Sequence, residues 1–156
     1  MLEYLQIILI ILLLSTAILI KEYKSPKNVV ILLMIYAYHM LFAYVNYHTP
    51  TDYQSMYKLI EEGAITVMLN TVPSPGNSFI YYLNHICIEY LHLSYLAASV
   101  LFASLSYIGF WILFKIIQTH KIKYLWLILL IPSLHFWTVG VGKDSLIFLF
   151  ISALLY

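Results

Sequence analysis

Apolar residues in this chain do not alternate with polar ones; they run together. Residues 2–20, 29–47 and 95–117 are three near-continuous apolar stretches, and residues 124–134 begin a fourth. A helix needs about 20 such residues to cross about 30 Å of hydrocarbon. The first three stretches therefore predict membrane-spanning helices. Two short polar turns join them. One runs from Lys21 through Glu22, Lys24, Ser25, Pro26 and Lys27 to Asn28, and the other covers residues 118–123, with Lys121 and Lys123.

A long polar segment, residues 48–94, separates the second and third spans. Residues 54–62 predict a short helix with Met56, Leu59 and Ile60 on its apolar side. Thr51 or Asp52 suits its N-cap, and Gly63 its stop. Tyr53 and Tyr57 stand four residues apart and share a face. Pro73, Pro75 and Gly76 predict a turn, followed by a second helix over residues 78–92. Its polar face would collect Tyr81, Asn84, His85, Glu89 and His92, a pattern that suits a helix lying in the membrane interface.

The fourth apolar run is interrupted between Ile131 and Ser145. Pro132, His135, Trp137, Gly140, Gly142, Lys143 and Asp144 fall within a few residues of one another, and apolar sequence resumes from Leu146 to Tyr156. Irregular backbone at membrane depth persists only where protein buries it or water reaches it. The fold class predicted is all-α: a polytopic transmembrane helix bundle with an outer interfacial helical loop and a broken or re-entrant segment near residues 132–145, forming one membrane domain.

Composition agrees, with 63% hydrophobic and 10% charged residues and a mean hydropathy of +0.89. A soluble domain carries about a quarter charged residues. The net charge of +1 and the lack of any basic run leave no footprint for nucleic acid. Lysine placement adds orientation. Lys21, Lys24, Lys27, Lys115, Lys121 and Lys123 flank the two short turns, which predicts that both turns are cytoplasmic. The N-terminus, the long loop and the break would then share the extracytoplasmic face of the membrane. No basic region precedes the first span and no small-residue cleavage site follows it, which argues against a signal peptide. Cys87 is the single cysteine and suits a small buried apolar position.

The break carries the most chemistry. Gly140 and Gly142 allow the backbone to approach a ligand closely. Lys143 stands at the start of the following helix, where free amides and the helix dipole favour an anion. It either holds a phosphate or snorkels to lipid headgroups, with Asp144 as a cap. The run from Gly140 to Ser145 is not a Walker loop, since Trp137 and Asp144 occupy positions that motif reserves for glycine and for serine or threonine. His135 is an ionisable residue at membrane depth and a functional candidate on that ground. Asp52, just past the second span, is a base, an anchor for a sugar hydroxyl, or a helix cap. Tyr53, Tyr57 and Trp137 suit stacking on sugar rings or interfacial placement. His85, Glu89 and His92 have the spacing of a helical zinc face, but the polar side of an interfacial helix explains them more simply.

Three short patterns together resemble the Wzy/EpsG group of exopolysaccharide and O-antigen polymerases. They are Pro132-Ser133 with Phe136-Trp137 and Gly142-Lys143-Asp144-Ser145; Asp52-Tyr53 with Tyr57; and Ser74-Pro75-Gly76-Asn77-Ser78-Phe79. The resemblance implies a GT-C-type glycosyltransferase that joins oligosaccharides carried on polyprenyl pyrophosphate, without a metal or other cofactor. It implies Asp52, Lys143 and Asp144 as catalytic residues, and Tyr53, Tyr57, His135, Trp137 and Gly142 as substrate-binding ones. The implied partners are the lipid-linked glycan, the bilayer and other polysaccharide-assembly membrane proteins. Members of the group have more spans and use arginines, which this chain lacks, so it is expected to be an N-terminal portion. Two other readings stay open: a lipid-linked-glycan transporter or flippase subunit, and a membrane anchor.

Overall fold

The computed structural model describes residues 2–49, 52–63, 77–120 and 124–156. Every regular element among them is helical: α1 (Leu2–Glu22), α2 (Pro26–His48), α3 (Asp52–Glu61), α4 (Asn77–His85), a π-helical turn (Ile86–Tyr90), α5 (Tyr95–Thr119), a 3-10 segment (Leu125–Leu130), α6 (Pro132–Thr138) and α7 (Lys143–Leu155). The three expected spans are present, each extended by a turn or less. α1, α2 and α5 are long and apolar enough to cross a membrane, and the protein is a multi-pass helical bundle.

α5 is the axis of the bundle. Half of its apolar window is buried, against 6% of that of α1. Many of its inward positions in the first half are small: Ala97, Ala98, Ser99, Ala103, Ser104 and Ser106 are all buried. Small residues let neighbouring helices pack closely where no hydrophobic effect drives helix association. Ser94 caps α5 by accepting a hydrogen bond from the Ala97 amide at 3.2 Å.

Polar contacts fix which helix ends lie together. Ser94, at the start of α5, donates to Glu3, and Gln6 donates to the His92 carbonyl at 3.2 Å. At the far end of the same two helices Lys115 lies 2.6 Å from the Glu22 carboxylate, to which Trp111 Nε1 donates at 3.0 Å. α1 and α5 are therefore parallel. Asn28 and Gln118 exchange two hydrogen bonds, so α2 runs antiparallel to α5. Residues 22–28 and 115–120, which flank the two lysine-rich turns, thus lie at one end of the bundle. The start of α1 and the links into α5 occupy the other.

The fourth apolar run, residues 124–134, is not a single α-helix. Ile131 is extended, with ψ 119, because the ring of Pro132 disfavours the helical region for the residue before it. The chain therefore divides at Ile131 into the 3-10 segment and α6, with Pro132 in the first turn of α6. α6 and α7 meet at a bend of 114°. The ascent starts beside the basic turn, where Leu129 packs with Ile18, Leu32 and Phe114. It reaches the opposite end, where Val141 packs with Ala98 and Phe102. α7 then descends parallel to α5, and Tyr156 lines a groove with Lys21, Glu22 and Lys115. The broken segment is a bent helical hairpin seated on α5.

The outer-loop helices also depart from expectation in one respect. The π-helical turn inserts extra backbone after His85, and His92 has a φ of 48, so His85, Glu89 and His92 do not keep one face. No group of three metal-ligating side chains occurs among the described residues. Ile80, Asn84 and Cys87 point inward instead and are buried. Gly63 ends α3 region with a φ of 75, the left-handed conformation that glycine adopts without strain.

Gly109 carries the α5–α7 contact. A Cβ built there would lie 3.0 Å from the Phe148 ring and 3.1 Å from Ser152 Oγ. Gly109→Val should destabilise the folded protein by about 1–3 kcal/mol through overpacking. Unfolding in mixed detergent micelles checks this, and an unchanged midpoint would show that α7 is not held against α5.

Candidate functional site

The end of the bundle opposite the lysine-rich turns brings together Tyr57, Gly142, Lys143 and Asp144. Tyr57 of α3 is buried in one apolar cluster with Cys87, Ala98, Phe102 and Val141, and Leu146 of α7 packs against it. The outer-loop helix and the break are thereby joined. Val141 and Leu146 bracket Gly142, Lys143, Asp144 and Ser145, so the Lys-Asp pair lies at this same end.

The break is built from the inside outward. Val139 packs with Ala43 and Ala103, and Val139, Gly140, Val141 and Gly142 are all buried. The Gly142 amide donates to the Gly140 carbonyl at 2.8 Å, and the Ser145 hydroxyl donates to that same carbonyl. A buried carbonyl in an irregular segment needs such partners. Gly142 is the N-cap of α7, and no side-chain cap bond is made there. Asp144 is the second residue of the helix and is half-buried; it is not the cap, and it has an interaction partner. Lys143 opens α7 and its side chain is exposed. An exposed ammonium beside uncapped helix amides is an arrangement that attracts anions.

The other candidates divide. Trp137 is exposed, at 61%, and stands edge-on to Phe136 at 5.4 Å. Tyr57 is not an open stacking platform. It is 1% exposed, its hydroxyl donates to the Leu93 carbonyl at 2.6 Å, and burial pushes its phenol pKa upward. Tyr95 lies edge-on to it at 5.2 Å and stacks with Tyr47 at 5.8 Å. His135 is fully buried, and both of its ring nitrogens are engaged inside the bundle. Its position is that of an interior group, because α6 seats it against α2. Asp52 opens α3; its side chain and that of Tyr53 lie outside the described residues, as does Thr51.

Sequence pattern gave no sign of His39 or Asn84. His39 lies in mid-span and is fully buried, 2.8 Å from His135 and 2.8 Å from Ser106 Oγ. A single histidine in an apolar run stands out only once its partners are known. Asn84, read from spacing as part of a solvated face, is fully buried with neither side-chain polar atom hydrogen-bonded. Buried amides without a protein partner are rare. No protein-family model, curated protein or solved structure matches this chain.

Two labelling outcomes follow. In a Cys87→Ser background, Glu61→Cys and Lys143→Cys should react with an impermeant thiol reagent from one side of the membrane, and Lys24→Cys from the other. Reaction of Lys143→Cys together with Lys24→Cys would separate the break from the outer-loop helix. Cys87 itself should be nearly inert in the native protein, because burial pushes its thiol up to about 11. Only the thiolate reacts, so about one molecule in a thousand is reactive near pH 8. Labelling should rise as pH climbs toward 11, or at once on denaturation. Fast native labelling at neutral pH would place Cys87 outside the core.

Proposed function

We propose that these residues belong to a membrane polysaccharide polymerase, a glycosyltransferase that joins glycan units carried on polyprenyl pyrophosphate at the extracytoplasmic face of a bacterial plasma membrane. One observation carries this reading. The exposed Lys143 opens α7 directly after a buried turn, and Val141 of that turn packs with Tyr57 of the outer-loop helix. The break and the loop thus gather at the end of the bundle away from both lysine-rich turns. By the positive-inside rule that end is extracytoplasmic, with the N-terminus outside.

The reaction is displacement at an anomeric carbon. The acceptor hydroxyl loses its proton to Asp52 or Asp144 and forms the new carbon–oxygen bond. The bond to the lipid pyrophosphate breaks, and Lys143 stabilises the charge that leaves with it. Trp137, exposed beside the break, supplies an aromatic surface for a sugar ring. The bilayer, the lipid-linked glycan and other polysaccharide-assembly proteins are the partners of this reading.

The assay is polymer chain length in a strain lacking the native gene, with the variants introduced at matched expression. Lys143→Met keeps the aliphatic stem and removes the ammonium. Insertion should survive and polymer should fall about 10²-fold or more, the usual effect of losing one preorganised charge contact. Lys143→Arg should retain part of the activity, since charge persists while geometry changes. Asp144→Asn should lower polymer if Asp144 handles the proton. Wild-type polymer from both Lys143→Met and Asp144→Asn would sink the catalytic reading of the break.

A further inference from the structure

We propose that His39, His135 and Ser106 form a binding site for a single proton in the interior of the bundle. The site does not depend on the glycosyl-transfer reading. It rests on the hydrogen-bond inventory of three buried side chains and two carbonyls.

The bonds run in a chain. His135 Nε2 meets the Leu129 carbonyl, and His135 Nδ1 meets His39 Nδ1 at 2.8 Å. His39 Nε2 meets Ser106 Oγ at 2.8 Å, and Ser106 Oγ lies 3.0 Å from the Ala103 carbonyl. A carbonyl only accepts, so His135 Nε2 must carry hydrogen. In a neutral ring Nδ1 of His135 is then a lone pair, and His39 Nδ1 must donate to it. Nε2 of a neutral His39 is a lone pair in turn, and the Ser106 hydroxyl donates to it. With both imidazoles neutral, every ring nitrogen is thus satisfied.

One added proton is accommodated without breaking a contact. It binds at His39 Nε2, which then donates to Ser106 Oγ. The Ser106 hydroxyl turns its hydrogen to the Ala103 carbonyl, already within reach. The positive charge spreads over both rings, because the hydrogen between the two Nδ1 atoms can sit on either. A second proton has no place: two Nδ1 donors would face each other at the distance of one hydrogen bond. The capacity of the pair is therefore one.

The walls suit a cation. Phe110 stacks on His135 at 4.5 Å and 14°, and Phe42 stacks on it at 5.8 Å. Phe110 also lies 4.9 Å from His39. Aromatic faces attract positive charge, most strongly where water is excluded. The titratable groups facing the pair are Tyr38 of α2, edge-on to His135 at 4.9 Å, and Tyr107 of α5, 6.2 Å from His39. Tyr36 of α2 contacts Tyr107 at 4.8 Å and bonds Ser104. The 3-10 segment contributes only the Leu129 carbonyl, and α7 reaches this region through Phe148 against Phe110. No carboxylate or ammonium bonds either imidazole among the described residues. The proton is shared between α2 and α6, so its binding is linked to how the bent hairpin sits on the bundle.

Nitrogen NMR of the full chain, labelled with 15N-histidine and held in lipid nanodiscs, tests this. We expect a nitrogen–nitrogen coupling across the hydrogen bond between two of the six imidazoles. On acidification those two rings should gain imidazolium character with one shared midpoint, together taking one proton. His39→Gln should abolish the coupling and the shared midpoint. Ser106→Ala removes the acceptor for the new N–H and should lower the proton affinity of the pair about tenfold or more, the worth of one charge-assisted bond. Two separate midpoints totalling two protons would overturn the proposal. So would proton affinity unchanged in Ser106→Ala, or no uptake by the wild-type pair while the folded spectrum persists.

Discussion

A polar group in hydrocarbon has no water to turn to, and the bundle interior must satisfy it. That constraint organises this fold. α5 carries serines and a tyrosine along its buried side, and three of them are answered by side chains or carbonyls of α2. Ser104 Oγ meets Tyr36 at 3.1 Å, Tyr107 donates to the Leu32 carbonyl, and Ser106 meets His39. The same requirement recurs at the lysine-rich end, where the buried Glu22 carboxylate is met by Lys115 and Trp111. These bonds set helix direction as well as depth, since each joins positions far apart in sequence.

The bent hairpin obeys the same rule at a harder place. Pro132 has no amide hydrogen to give and bars Ile131 from helix, so the carbonyls closing the 3-10 segment need partners from outside the backbone. His135 supplies one, through Leu129. Ser145 supplies another at the top of the hairpin, through Gly140. The side chains that looked like surface chemistry in the break are thus divided by position. Those that close open backbone carbonyls point inward, and those with no such duty, Lys143 and Trp137, remain exposed.

Length and hydropathy made the three spans legible, because a helix that crosses hydrocarbon has few alternatives. Gly63 as the stop of α3 was equally readable from its backbone freedom. The division at Ile131 was legible only in part. The proline announced an interruption, but nothing in residues 124–130 announces a 3-10 segment in place of an α-helix. The face of α4 was misread for a different reason. Spacing put Asn84 and His85 together on a polar side, while Asn84 is buried just before the π-helical turn, whose Cys87 packs with Tyr57 and Ala98, and that turn shifts the residues beyond it. Asn28 with Gln118 and Glu22 with Lys115 bring the flanks of both lysine-rich turns to one end of the bundle.

His135 shows why a site in a membrane protein is hard to read from one segment. Between Pro132 and Lys143 it has the look of a ligand contact, and its chemistry depends on a residue 96 positions away. A histidine on a helix end at the surface would titrate alone. Held against His39 it cannot: the tautomer of each ring is dictated by the other, by the Leu129 carbonyl and by Ser106. The break is therefore tied to α2 and α5 through groups able to change protonation, and to the outer loop through the apolar contact of Val141 with Tyr57. Lys143 lies two residues beyond that contact. Any rearrangement that loosens the His39–His135 bond must act on the seat of α6, and α6 is joined to the helix that Lys143 opens by only the buried turn of residues 139–142.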